Sequence, residues 1–313
     1  MINKQFNASE QDKIAQYWSQ RSLNAGRRWN WWSCRQVIRY LNRRVCGLEL
    51  NGFSQGLCYR AKDILGSKKL DVGVSIGCGI GVKEMNLIRW GLVNRMVCFE
   101  LSEERIRQAE EEAKKRSLSQ FIEFRREDAF QSVGNSEKFD LVHWNNSLHH
   151  MPDTCFAIEW SKKKLKPGGL FMMDDYVGPN YIQFSDECLN LGSLIRKKLP
   201  KKYLLHPASS PENIHFLDTQ CQRPELSKII AKDPSEAIDS ENILVGVKKV
   251  FPDAEIVHTG GVVYFAALPP LYANFDPEDE FDTGLLESLL LIDELYTSLH
   301  PGETLYATAL AIK

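Results

Sequence analysis

The chain predicts an α/β fold: a seven-stranded, mostly parallel sheet with helices on both faces, preceded by a helical arm and interrupted by an inserted lid. Three observations carry this expectation. Short apolar stretches alternate with longer helix-like ones between residues 71 and 174, the pattern of βαβ units. A glycine-rich turn follows the first apolar stretch, and Pro-Gly punctuation closes a later helix.

Taken in order, residues 8–45 read as helical and carry Tyr17-Trp18 and Arg27-Arg28-Trp29-Asn30-Trp31-Trp32. Aromatics at such spacing usually pack into a core, yet a segment ahead of the first strand can also cover a ligand cleft. Residues 71–77 are the first strand, 82–90 a helix and 95–101 the second strand. Ser102 then caps a helix running to about residue 115, with Glu103 and Glu104 favourably placed in its first turn. Strands three and four fall at 121–126 and 139–145. A helix over 154–165 stops at Lys166-Pro167-Gly168-Gly169, and 170–174 is the fifth strand. Regularity lapses over 180–240, where a helix at 185–199, the basic run Arg196-Lys197-Lys198-Leu199-Pro200-Lys201-Lys202 and proline-bearing loops read as a substrate lid. A strand at 254–258, a Leu-rich helix at 283–299 and a strand at 304–312 finish the sheet. The chain thus divides into an arm or cap (1–69), a sheet core (70–179), the lid (180–240) and a C-terminal completion (241–313).

Composition narrows the function classes. A net charge of -2 gives no global attraction to nucleic acid or anionic lipid. The charge is uneven, however. Residues 1–60 hold ten Lys or Arg against three Asp or Glu, and residues 251–312 hold eleven Asp or Glu and no Lys or Arg. The two segments can dock on each other or stand as separate solvated faces. Eight cysteines lie scattered without a C-x-x-C pair, several inside apolar runs such as Val97-Cys98-Phe99, so they read as small hydrophobes in a reducing compartment rather than as a zinc site. The absence of a secretory core at the N-terminus and of an apolar run of roughly eighteen residues makes a cytoplasmic protein without a membrane span the expectation.

The chemistry begins at Val74-Ser75-Ile76-Gly77-Cys78-Gly79-Ile80-Gly81. Three alternate glycines between a strand and a helix let backbone approach a ligand closely. Nineteen residues after Gly81, Glu100 ends strand two, where a carboxylate can accept ribose hydroxyls at the switch point of a doubly wound sheet. Dinucleotide dehydrogenases share this logic, but their G-x-G-x-x-G register would need glycine at Val82. Further on come Glu127-Asp128-Ala129 after strand three, FDLVHWNNSLHHMPD at 139–153 and LKPGGLFMMDD at 165–175. In this order and spacing the chain resembles the class I S-adenosylmethionine-dependent methyltransferases, whose core is Rossmann-like. The resemblance covers about residues 70–176, and Asp174-Asp175-Tyr176-Val177-Gly178-Pro179 is similar to bacterial small-molecule or sugar methyltransferases. It implies S-adenosyl-L-methionine as cofactor and S-adenosyl-L-homocysteine as product. Gly77, Cys78, Gly79 and Gly81 would line the methionine end, Glu100 with Leu101 the ribose, Asp128 and Ala129 the adenine, and Asn145 the methionine moiety. The chain departs from the family at Ser75, where an acid is usual two residues before the first glycine.

Methyl transfer to a hydroxyl needs a base. The candidates are His150, its neighbour His149, and Asp175 at the end of strand five. Adjacent histidines also commonly pack or cap the next helix. No ligand spacing in this group supports a metal, so none is expected. Tyr17, Trp18, Arg28 and Tyr176 are candidates for the acceptor side, and Arg28 or the basic run would suit an anionic or sugar-linked small molecule. Nucleic acid is not expected, because Asn145-Asn146-Ser147-Leu148 stands where base methyltransferases carry a Pro-Pro-aromatic tetrad. A nicotinamide-dependent oxidoreductase and a catalytically silent Rossmann-like binding subunit remain open as alternatives at this point.

Overall fold

A computed structural model of the chain describes residues 6–23, 30–206, 209 and 212–313. The arm consists of α1 (Ala8–Leu23), α2 (Arg35–Cys46) and α3 (Gln55–Leu65). The core runs β1 (Leu70–Ile76), α4 (Val82–Arg89), β2 (Val93–Phe99), α5 (Glu103–Lys115), β3 (Ile122–Arg125), α6 (Ala129–Ser132), β4 (Phe139–Asn145), α7 (Thr154–Lys164) and β5 (Leu165–Tyr176). Beyond it lie α8 (Asp186–Lys198), α9 (Leu226–Lys232), α10 (Ile243–Val250), β6 (Glu255–Gly260), α11 (Glu280–Leu299) and β7 (Tyr306–Ile312).

The seven strands form one sheet in the order β3-β2-β1-β4-β5-β7-β6. All pairs are parallel except those of β7, which runs antiparallel to β5 and β6. The strand order reverses between β1 and β4, so their C-terminal ends open a crevice of the kind where doubly wound sheets bind ligands. Both sheet faces are covered, which is why the central strands read as nearly continuous apolar runs. Phe171 and Met173 of β5 pack with Val142 and Trp144 against α7 and α10. Leu170 and Met172 point the other way, toward α3 and α4. Trp144 is fully buried and donates its indole N–H to Ser161 Oγ at 2.9 Å.

Strand four matches the sequence reading, and the other edges shift by a few residues. The largest shift is in β5, which already begins at Leu165, so that the Pro-Gly-Gly segment lies inside the strand where its register against β4 slips. The helical stretch of 8–45 is two helices, and α3, α10 and a π-helical turn at Val262–Ala267 are additional elements.

A third apolar cluster joins the arm to the C-terminal part through Trp31, Tyr40, Tyr264, Tyr306 and residues of α8 and α11. Here the basic and acidic segments meet. Arg43 and Arg44 both pair with Glu294 of α11, and Arg60 of α3 pairs with Glu255 of β6. These pairs are partly exposed and contribute modestly. The stronger tie is Asp293, which is fully buried. Its carboxylate accepts from the amides of Gly261 and Val263 and from Tyr40 Oη at 2.9 Å. Burial pushes its carboxyl up to about 6, although the amides, Tyr40 and Arg44 pull the other way.

Asp293→Ala should therefore lower stability by about 3–5 kcal/mol in urea unfolding, because two amides and a phenol are left buried without an acceptor. The raised carboxyl holds a proton in the native state that the unfolded chain releases. Its contribution to stability thus declines as pH rises from about 4 to about 6. Asp293→Asn should flatten that decline in the urea midpoint over the same interval.

Candidate active site

A cavity of about 980 Å³ opens at the C-terminal ends of β1, β2 and β4. That is at the upper end of the roughly 300–1,000 Å³ usual for ligand pockets, enough for a cofactor and a second molecule. Gly77, Cys78, Gly79, Glu100, Leu101, Asp128, Ala129 and Asn145 all line it, as do Tyr17, Trp18, His149, His150 and Tyr176. Arg28 lies outside the described residues.

The glycines divide the work. Gly77 and Gly79 have φ of +68° and +59° and leave bare backbone facing the cavity. Gly81, at φ +68°, does not line it: a Cβ there would lie 2.6 Å from Phe124 Cε1. It packs α4 closely against the Phe124 side chain of β3, so its lack of a Cβ is required there by packing. Glu100 is held in place by the Gly79 amide at 3.0 Å and the Ser102 amide at 2.9 Å. Each carboxylate oxygen keeps a second lone pair for hydroxyl donors. Asp128 caps α6 through the Phe130 amide. Ser75, which stands where the family usually carries an acid, donates its Oγ at 2.9 Å to Glu84 of α4, which is fully buried and meets His143 Nδ1 at 3.0 Å.

At the other end, Asp174 and Asp175 point to opposite sides of β5. Asp174 accepts from Ser54 Oγ at 2.6 Å. Asp175 is fully buried and its carboxylate accepts the amides of Ser147, Leu148 and Tyr176 at 2.8–2.9 Å. It also meets His149 Nδ1 at 2.5 Å. With no room for the solvent or acceptor contact a base needs, the Asp175 carboxylate is a poor base and a good orienting group. Burial alone would raise its carboxyl, but His149 and the amides outweigh burial and hold it below the usual range. The same contact works on His149 in reverse: burial pushes the imidazole down, yet Asp175 together with Glu236 and Asp233 outweighs it and the net shift is upward. With Nδ1–H donated to Asp175, the lone pair of His149 sits on Nε2, which stands 3.8 Å from Glu236. His150 differs. Burial and the neighbouring His149 lower its pKa, Nδ1 meets Ser235 Oγ at 3.0 Å, and its ring stands edge-on to Trp18.

The arm closes over this site. Gln11 donates to Asp128 at 3.1 Å, Ser19 meets Ser102 at 2.8 Å, and the Arg105 guanidinium lies 4.1 Å from the centre of the Trp18 ring. The basic run of the lid does not reach the cavity. Arg196 donates to the carbonyls of Ala267 and Pro269, and Lys202 pairs with Asp282. The lid instead contributes Ile229, Lys232, Asp233 and Glu236 from α9 and the turn after it. Sequence reasoning missed these two acids, which reach the cavity only where the lid crosses the strand ends; it also passed over Lys83, in the first turn of α4, and Ser147, inside the motif after β4, because neither residue type stands out at its position. His149, His150 and Glu236 form a cluster whose ligand atoms lie within 4.8 Å of one another.

Residues 67–228 match the family described as methyltransferase domain, just over half of the 313-residue chain. The chain belongs to this family. It is a methyltransferase of the S-adenosylmethionine-dependent class, and the nicotinamide reading falls away. Over 106 residues the methyltransferase is 31% identical to the 27-O-demethylrifamycin SV methyltransferase of Amycolatopsis mediterranei (strain S699). That alignment takes in 33% of this chain and 38% of the relative, so the chain spans well under half of that protein's length. Its fold is similar to a geranyl diphosphate C-methyltransferase from Streptomyces coelicolor A3(2), solved with Mg2+, geranyl diphosphate and S-adenosyl-L-homocysteine, with a TM-score of 0.54, 13% identity and 99% of each chain covered. A phosphoethanolamine N-methyltransferase from Haemonchus contortus, solved with phosphomonomethylethanolamine and S-adenosylhomocysteine, gives a TM-score of 0.48 at 16% identity, over 90% of this chain and 58% of that one. Among the described residues no helix is long and apolar enough to cross a membrane.

The site residues fit the cofactor. Bare backbone at Gly77 and Gly79 faces the cavity, Glu100 is positioned for a diol, and the Ser147 hydroxyl is buried beside Gly77 without a partner. The two glycine types should separate experimentally. Gly81→Ala should destabilise the fold by about 2–4 kcal/mol, since it adds a clash with Phe124 to the left-handed strain. Gly79→Ala, whose added Cβ meets only Arg105 at 3.4 Å, should cost about 1–2 kcal/mol while weakening S-adenosylhomocysteine in calorimetry. Thermal melts together with titrations read both effects.

Proposed function

We propose that the methyltransferase transfers a methyl group to a hydroxyl of a small-molecule acceptor, with His149 as general base. The observation that carries this reading is the Asp175–His149 pair beside the cavity, at 2.5 Å, which leaves Nε2, 3.8 Å from Glu236, as the basic atom. When bound, S-adenosyl-L-methionine supplies an electrophilic methyl on a sulfonium. The remaining tasks fall to the chain's own groups. Gly77, Gly79, Glu100, Asp128 and Asn145 hold the cofactor, and Tyr17, Trp18 and Tyr176 enclose the acceptor. Asp175 fixes the tautomer of His149 and stabilises its imidazolium, and His149 Nε2 takes the hydroxyl proton as the new bond forms. His150, the first choice from sequence, lacks a carboxylate partner within hydrogen-bonding distance. Its pKa shifts downward, which suits a packing and orienting role against Trp18 and Ser235.

The acceptor end is aromatic and acidic, with Trp18, Tyr176, Phe265, Tyr306, Asp233 and Glu236 on its walls. That lining favours a bulky, largely apolar molecule bearing hydroxyls over an anionic one. The O-methyltransferase name of the Amycolatopsis relative points the same way.

The tests are kinetic. His149→Ala should lower kcat by about 10²–10⁴-fold, the usual worth of a general base, with S-adenosylhomocysteine affinity within about threefold. Because the His149 pKa is raised, the base form is lost as pH falls through that raised value, so kcat should drop on the acid side. Asp175→Asn removes the charge that raises it, which should move this limb to lower pH and reduce kcat. A limb that stays put would exclude His149 as the titrating group. Binding of cofactor without turnover on any acceptor would favour a silent subunit.

A further inference from the structure

Lys83 is a cation in the cofactor cavity that neither the glycine motif nor the proton transfer uses. It is the second residue of α4, two places after Gly81, and its half-buried side chain lines the cavity. The ammonium donates to the Asn145 carbonyl at 3.0 Å and lies 5.6 Å from the centre of the Phe53 ring. Among the described residues it forms no ion pair within 4 Å. The nearest acids are otherwise engaged: Asp174 with Ser54, and Glu84 with Ser75 and His143. An ammonium has three N–H donors, so two remain for a ligand.

Two neighbours make the same spot suited to an anion with a polar companion. The first-turn amides of α4 open toward the cavity from the strand–loop–helix turn, with the positive end of the helix dipole. Ser147 Oγ, on a residue only 3% exposed, has no hydrogen-bond partner and stands against Gly77 on the same wall. Burial pushes the Lys83 pKa down, the sign of an ammonium lacking a full counter-charge, and a bound carboxylate would reverse that shift. The position matters as well. Lys83 meets the backbone of Asn145, at the end of β4, whereas Glu100 and Asp128 lie on the β2 and β3 side of the cavity. A ligand whose nucleoside lies toward Glu100 and Asp128 therefore extends its other end to Lys83.

We propose that Lys83 binds the α-carboxylate of the cofactor's amino-acid end, with Ser147 as a neighbouring hydrogen-bond partner. The inference rests on the cofactor assignment and is independent of which residue acts as base. It concerns binding, so the experiment needs no acceptor and no turnover.

Calorimetric titration of the full chain with two ligands tests it: S-adenosylhomocysteine, which carries the amino-acid end, and 5′-methylthioadenosine, which keeps the nucleoside and sulfur without it. Lys83→Met should weaken S-adenosylhomocysteine by about 10–100-fold, the worth of a charge-assisted hydrogen bond, and leave 5′-methylthioadenosine within about twofold. Lys83→Arg should recover part of the loss, since it restores the charge. Equal weakening of both ligands would overturn the proposal in favour of a lysine that merely props the cavity wall, and so would no weakening of either. A wild-type protein that bound neither nucleoside would overturn it together with the cofactor assignment, which separates the two failures.

Discussion

The site depends on one buried carboxylate. Asp175, at the end of β5, gathers the amides of Ser147 and Leu148 and the imidazole of His149. In doing so it pins the loop after β4 to the neighbouring strand. Without it the loop would have to find other acceptors for donors sealed from water, each worth about 1–3 kcal/mol if left unmet. The same contacts hold the carboxyl below its usual range and the imidazole ring in place, so a single residue sets both the loop path and the His149 tautomer.

The halves of the cavity are built by different means. The half of the cavity at the ends of β1 and β2 is made largely by backbone: bare glycines, strand-end amides and the first turn of α4, with Glu100 locked by two amides. The acceptor end is made by side chains from distant elements, with α1, α9 and the segment after it meeting over β4 and β5. Cofactor recognition can thus stay fixed while acceptor preference changes with the lid and arm.

This division explains what the sequence made legible. Strands one to five, the glycine turn and the acids after β2 and β3 were readable because each is local: an apolar run, a turn and a residue at a fixed offset. Lys83 was not, because a lysine in the first turn of a helix is ordinary until Asn145 is seen across from it. Asp233 and Glu236 were unreadable for the same reason, lying in a lid with no periodic pattern. Which of His149 and His150 faces Asp175 was likewise unreadable, a matter of loop geometry rather than composition. The α10 and 262–267 helices escaped because short apolar runs read equally as strand or helix. The charge asymmetry did translate into structure, as the Arg43, Arg44 and Glu294 contacts between α2 and α11.

Trp18 has a consequence for the order of events. One face meets the Arg105 guanidinium over the nucleoside end, and an edge meets His150 at the acceptor end. With cofactor and acceptor seated as proposed, a displacement of α1 would loosen the contacts at both ends of the cavity together. Thermodynamic reciprocity then requires that any factor by which a seated cofactor tightens the acceptor equals the factor by which the acceptor tightens the cofactor. On that reading the two occupants of the cavity would be linked through one indole.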